Sequence, residues 1–113
     1  NEEEVVKKMT AMVKKVKPDF VLCGPCFNYL DYGKMAAMIS TSILESTDIK
    51  SCAMLSVENA DTIAAYKDKT PILKMPKKGG TGLNDSFADL CEFIQCTVKQ
   101  SGELENVRTR VCY

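Results

Sequence analysis

The 113-residue sequence has no histidine and no excess of charge, and each absence excludes a class of function. Without histidine there is no Ser-His or Cys-His nucleophile pair and no mixed Cys/His zinc site. Fifteen basic and fifteen acidic residues give no long-range field that attracts nucleic acid or an anionic membrane. No apolar run approaches the ~20 residues that span a bilayer. We therefore expect neither nucleic acid nor a membrane as a partner.

Cysteine, in contrast, is abundant, with six residues in a short chain. A disulfide framework is one interpretation of that number. Three of them, Cys52, Cys91 and Cys96, instead lie within apolar strand or helix patterns, where free cysteine acts as a small hydrophobe. The sequence therefore favours a reducing cytoplasm over secretion.

The length of the chain allows one domain. Because the sequence begins inside a helical pattern and without Met, we expect it to be a fragment of a larger protein.

Helix and strand patterns alternate along the chain. Helices are predicted over about 2–17, 35–44 and 61–66, with a last helix that runs to about 98 from a cap at Asn84 or Asp85, and strands over 20–23, 52–57 and 71–75. With such short connections, the economical arrangement is a mainly parallel sheet covered by helices. The fold class is therefore α/β, a small three-layer sandwich of Rossmann or flavodoxin-like type.

Two further expectations concern the limits of this domain. Residues 1–101 carry the α/β pattern, whereas periodicity fades from Gly102, so that 102–113 are predicted to form an irregular tail. Three strands are few for a parallel sheet. We therefore expect an edge of the sheet to be covered by a missing strand, by a partner or by a second copy of the chain. A second copy would make the protein a homo-oligomer.

Ligands of an open parallel sheet bind beyond the carboxyl ends of its strands, and three loops lie there: residues 24–33, 58–61 and 76–82. In the third loop, Gly79, Gly80 and Thr81 follow two lysines and offer backbone N–H groups to a carboxylate or phosphate. The loop lacks the P-loop pattern and the dinucleotide glycine spacing. The alternative interpretation is a solvated turn.

Cys23-Gly-Pro-Cys26 is a CxxC motif after a predicted strand, as in thioredoxin-like proteins, where a helix N-terminus lowers the pKa of the first thiol. Residues 27–33, however, interrupt a helix that would begin at Cys26. Three interpretations stay open: a thioredoxin fold, a redox dithiol of Cys23 and Cys26 on another scaffold, and two unreactive thiols in a turn. A structural zinc site would need two further ligands, so we expect no metal.

The string Pro18-Asp-Phe-Val-Leu-Cys-Gly-Pro-Cys-Phe-Asn28, followed by Tyr32-Gly33, resembles a known family. It is similar to the substrate-specific selenoprotein B component of glycine, sarcosine and betaine reductases. The likeness continues through Val57-Glu-Asn59 to Gly82-Leu83 and covers about residues 2–98. Several separated motifs in the same order make this resemblance more specific than the CxxC motif alone.

The resemblance implies a part in the reductive cleavage of a small amino acid or N-methylated amine, in the cytoplasm of an amino-acid-fermenting anaerobe. Component B would bind the substrate and work with selenoprotein A-like and component C-like partners, and a thioredoxin system would supply the electrons. The selenocysteine would lie elsewhere in the full protein or complex. This chain would then be an N-terminal subdomain without a cofactor of its own.

By motif position, the resemblance implies substrate-binding roles for Asn28, Tyr32, Gly33, Glu58 and Asn59. The Glu58 carboxylate suits a substrate ammonium, and backbone N–H groups near Gly33 or in the glycine loop suit its carboxylate. The alternative is structural: the two asparagines cap turns and Glu58 caps a helix.

The chain also departs from the family pattern. Cys23 and Cys26 stand where the family commonly has Ala, so the resemblance does not support a redox dithiol. Residues 29–31 and Ala60-Asp61 depart from it as well. A non-catalytic binding or scaffold module of the same fold therefore stays open beside the reductase.

Overall fold

Three parallel strands form the central sheet in the order β1-β2-β3. The computed structural model describes residues 1–113. Its elements, in chain order, are α1 (Glu2–Val16), β1 (Phe20–Cys26), α2 (Leu30–Ser46), β2 (Lys50–Ser56), a 3₁₀ turn (Val57–Asn59), α3 (Ala60–Tyr66), β3 (Ile72–Met75), α4 (Leu83–Val98) and α5 (Leu104–Val111). The predicted α/β fold with a parallel sheet is confirmed, and β3, which follows Pro71, lies at an edge of the sheet.

The alternation of side chains along β2 divides the core into two layers. Cys52 and Met54 face one side, where Phe93 of α4 and Val111 of α5 pack on them. The intervening residues, Ala53 and Leu55, face the other side, toward α2 and α3. Because β2 is covered on both faces, it is a continuous apolar run, and the three-layer prediction is confirmed.

Helix α1 packs mainly on α2. Asn1 caps its N-terminus by accepting a 3.3 Å bond from Glu4 N–H, and Lys17 ends it in the left-handed conformation. Thr10 Oγ1 lies 2.8 Å from Ser42 Oγ of α2. The apolar stripe that predicts this helix is only partly covered, since the side chains of Met12 and Val16 are exposed.

No helix has the length and apolar character needed to cross a bilayer.

Several boundaries differ from the predicted ones. Strand β1 continues through Gly24-Pro25 to Cys26, with a register shift between Cys23 and Cys26. Helix α2 begins at Leu30 rather than near Met35. The predicted cap of α4 by Asn84 or Asp85 is wrong: Gly82, with φ of 95°, occupies the cap position, and no side chain caps the helix. A left-handed φ suits glycine, so the backbone makes this turn without a side-chain cap.

The C-terminal residues, expected to be irregular, form helix α5. Val107 and Val111 are buried against the layer that includes α4. Cys112 then makes an antiparallel bridge with Leu73 of β3. Tyr113 donates from its backbone N–H to Ile72 O at 3.0 Å. Leu104, Val107 and Val111 do recur at helical spacing, but only over two turns of a mostly polar segment, so the signal is weak.

Candidate functional site

A cleft of about 400 Å³ opens at the carboxyl ends of β1 and β3. One wall is the segment that joins β1 to α2, and the other is the loop between β3 and α4. The lining residues are Pro25, Cys26, Phe27, Asn28, Tyr29, Tyr32, Pro76, Lys77, Lys78, Gly79, Gly80 and Leu83. The cleft therefore combines an apolar base with two cations and several hydrogen-bonding groups, as small-ligand sites do.

Asn59 holds the ends of β1 and β2 together behind this cleft. Its side chain is 2% exposed, and Nδ2 donates to Phe27 O at 2.8 Å. The same nitrogen lies 3.3 Å from both the carbonyl and the hydroxyl oxygen of Ser56. Such bonds satisfy strand-end carbonyls that burial would otherwise leave unpaired. Asn59 thus fixes the shape of the cleft wall and does not itself line the cleft.

Gly33, which is buried in the first part of α2, lies against the same side chain. A Cβ built on Gly33 would come within 2.1 Å of Asn59 Oδ1. That oxygen is buried and accepts no hydrogen bond. Close approach of α2 to the 3₁₀ turn is therefore what requires glycine here. The structure brings these two predicted site residues together, but behind the cleft.

Glu58 links the end of β2 to the lysine-glycine loop. Its Oε1 accepts a 3.0 Å bond from Ser56 Oγ and a 3.0 Å bond from Lys78 N–H. Gly80 N–H is also engaged, since it donates to Lys77 O at 2.8 Å. The Gly79 N–H has no acceptor in the chain. Of the three backbone donors predicted to take an anion, those of Gly79 and Thr81 are left free, and of these two residues Gly79 lines the cleft.

Two tyrosines stand exposed at the start of α2. The rings of Tyr29 and Tyr32 have centroids 5.9 Å apart and planes inclined by 60°. They line the main cleft and also a shallow recess shared with Asp31. An aromatic face beside a carboxylate suits a positively charged group. This recess shares Asn28 and both tyrosines with the cleft, so the site has two regions of opposite character.

The CxxC thiols do not have the surroundings that activate a thiolate. Cys23 is buried in the core, and desolvation raises the pKa of its thiol to about 11. Burial also raises the pKa of Cys26. Helix α2 begins four residues after Cys26, so its N-terminus does not act on either sulfur. All six cysteines are free.

The structure thus divides the predicted site residues into groups. Asn28, Tyr32, Gly79 and Gly80 line the cleft, whereas Thr81 lines a separate groove between α4 and α5. Sequence reasoning missed the apolar base, which includes Phe27 and Leu83. Both residues lie inside the segments that carry the family resemblance, and that position was the available signal. No group of three potential metal ligands is present.

Comparison with known proteins agrees with these motifs. A sequence profile described as glycine/sarcosine/betaine reductase selenoprotein B matches residues 1–109, and so includes most of α5. Glycine reductase complex component B subunit gamma of Carboxydothermus hydrogenoformans is 29% identical over 73 residues, which are 65% of this chain and 17% of that protein. No solved structure matches the chain. The chain belongs to the glycine/sarcosine/betaine reductase selenoprotein B family.

Proposed function

We propose that this chain is the part of a component B that holds the amino-acid substrate for reductive cleavage. Family membership supports a component B assignment. The observation that carries the finer proposal is the cleft at the carboxyl ends of β1 and β3, formed by the motif segments themselves. In a parallel sheet this is the edge where ligands bind.

The two regions of the cleft suit the two ends of a small zwitterion. A substrate carboxylate would take the free Gly79 N–H and the charges of Lys77 and Lys78. The ammonium, with or without methyl groups, would lie over the rings of Tyr29 and Tyr32. Glu58, proposed from sequence as the ammonium partner, here holds Lys78 N–H and would act by shaping the loop.

The reducing chemistry would come from outside this chain. None of its 113 residues is selenocysteine, and the raised pKa of Cys23 leaves that thiol a poor nucleophile. We propose that selenocysteine belongs to another part of the protein or complex, and that selenoprotein A-like and component C-like partners complete the reaction. A thioredoxin system would supply the electrons, in the cytoplasm of an anaerobic cell.

A binding or scaffold module without catalysis is the second candidate. The structural roles of Asn59, Gly33 and Glu58 favour it, because three of the five proposed substrate residues support the fold. The third candidate, a dithiol oxidoreductase of Cys23 and Cys26, has the least support, since burial raises the pKa of both thiols.

Titration of the ¹⁵N-labelled chain with glycine, sarcosine and betaine tests the first candidate against the second. We expect saturable shifts of the amides of Asn28, Tyr32 and Gly79. Lys78→Gln should weaken binding several-fold. Lys14→Gln, the same change on exposed α1, should leave binding unchanged. Absence of saturable shifts for all three compounds would favour the scaffold role over substrate binding.

A further inference from the structure

A second cavity lies at the other end of the sheet, where β2 and β3 begin. It has a volume of about 540 Å³, larger than the cleft at the carboxyl ends. Three cationic side chains line it, those of Lys50, Lys69 and Arg108, together with one carboxylate, Asp68. They come from β2, from the connection between α3 and β3, and from α5, so that distant parts of the sequence bring positive charge to one concave surface.

None of these three cations is neutralised by an ion pair. The salt bridges of the structure use Lys34 and Arg110. The ammonium of Lys69 lies 5.2 Å from the centroid of the Tyr66 ring, which leaves its charge intact. Since the chain has no net charge, this is a local concentration of positive charge, and a concave wall focuses its field.

Neutral donors accompany the cations. The Ser101 hydroxyl accepts a 3.1 Å bond from Glu103 N–H, so its own proton is free to donate. The Gln100 side-chain amide, which also lines the cavity, has no partner within the chain. Ser51 also lines the cavity, but its hydroxyl is engaged with that of Ser40 on α2 at 2.8 Å. Charged and neutral donors together match the many acceptor oxygens of a phosphate or carboxylate.

The cavity also has an apolar wall. Phe93, Pro71 and Leu104 contribute to its lining. A hydrated inorganic ion makes no use of such a surface, whereas an organic skeleton buries apolar area against it. The arrangement therefore favours an anion that carries a small apolar group.

We propose that this cavity binds a small organic anion, a phosphate or carboxylate attached to an apolar skeleton, at a site separate from the cleft. Arg108 and Lys50 hold the anionic group, and the wall that includes Phe93 contacts the skeleton. The proposal does not depend on the function proposed for the cleft, because the two cavities share no lining residue.

The test is an NMR titration of the whole chain with phenyl phosphate, phthalate and inorganic phosphate. Phenyl phosphate or phthalate should give saturable shifts at Ser51, Thr97 and Arg108. The stronger of the two should bind at least fivefold more tightly than inorganic phosphate. If only phenyl phosphate saturates, the anionic group of the ligand is a phosphate. If only phthalate saturates, it is a carboxylate. Absence of saturation with both, or no advantage over inorganic phosphate, overturns the proposal.

Two arginines of α5 supply a matched pair of variants. Arg108→Gln should weaken binding of the organic anion at least fivefold. Arg110→Gln makes the same change of charge on the same helix, but at a residue that pairs with Asp89 and Glu92, and should leave binding unchanged. Equal weakening in both variants would indicate general surface attraction and overturn the proposal. Lys50→Gln serves as the second test if Arg108→Gln fails to fold.

Discussion

The side-chain amide of Asn59 lies against Gly33 so closely that α2 has no room for a Cβ at this position: the atom would be 2.1 Å from Oδ1. Asn59 in turn holds Phe27 O at 2.8 Å. The contact between Gly33 and Asn59 thus sets the distance between α2 and the 3₁₀ turn. The hydrogen bond from Asn59 to Phe27 fixes the position of the cleft wall.

Gly33→Ala should destabilise the fold by about 1–3 kcal/mol, because the new methyl group forces Asn59 away from its bonds. Gly102→Ala is the matched control, since nothing lies within 4 Å of its added Cβ. Urea unfolding of both variants measures the difference. Equal stability of the two would contradict the close contact.

Asn59→Ala should cost about 1–3 kcal/mol, since it leaves buried carbonyl oxygens without a donor. The same truncation makes room for the methyl group of Gly33→Ala. The double variant should therefore be more stable than the sum of the two single effects predicts. A double-mutant cycle from urea unfolding checks this coupling, and strict additivity would show that the residues act independently.

Stability should fall as the pH rises from about 9 to 11. Burial raises the pKa of both Cys23 and Cys112 to about 11, from a value of 9.0 in an unfolded chain. In this window the unfolded chain loses thiol protons that the folded chain keeps, so that alkali favours unfolding. A Cys23→Ala variant should lose about 2 kcal/mol less than the parent between pH 8 and 11. Identical pH profiles would show that Cys23 is not desolvated.

Thiol labelling at pH 8 should distinguish the cysteines. Cys91 is exposed on α4 and should react with iodoacetamide first, whereas Cys23 and Cys52 are buried and should stay unmodified in the native chain. Mass spectrometry of peptides after brief labelling provides the measurement, with labelling in urea as the control. Rapid native labelling of Cys23 would revive the dithiol interpretation.

Val111→Ala should destabilise the chain by about 1–3 kcal/mol, because Val111 is 3% exposed within the core. Val98→Ala removes the same two methyl groups from a side chain that is 47% exposed, and should change stability little. Thermal unfolding of the two variants compares them directly. A negligible effect at Val111 would show that α5 does not belong to the core.

The parts of the fold that repeat a pattern were predictable from sequence. The buried run of β2 and the apolar stripe of α4 predict elements at the right positions, because burial on one or two faces produces a regular spacing. Helix α5 was missed, because its apolar residues keep helical spacing over only two turns and the rest of the helix is polar. Its two valines are buried by the layer that includes α4, a contact between separate segments that local spacing does not show.

For the candidate site, motif position indicated the edge of the sheet at which the cleft lies, but not where each residue stands relative to it. Asn28 and Tyr32 line this cleft. Asn59 and Gly33 occur in equally specific motifs and lie behind it. A sequence shows that two positions are constrained, but only the fold distinguishes a residue that touches a ligand from one that supports a loop.

The two outer edges of the sheet differ. Cys112 and Tyr113 occupy the outer side of β3 at Leu73 and Ile72, whereas the outer side of β1 has no strand beside it. Edge pairing between identical chains propagates into a fibre only if each copy offers two open edges. Pairing of two copies through β1 alone would therefore end at a pair related by a twofold axis. Cys112 and Tyr113 thus block the outer side of β3 against a further strand.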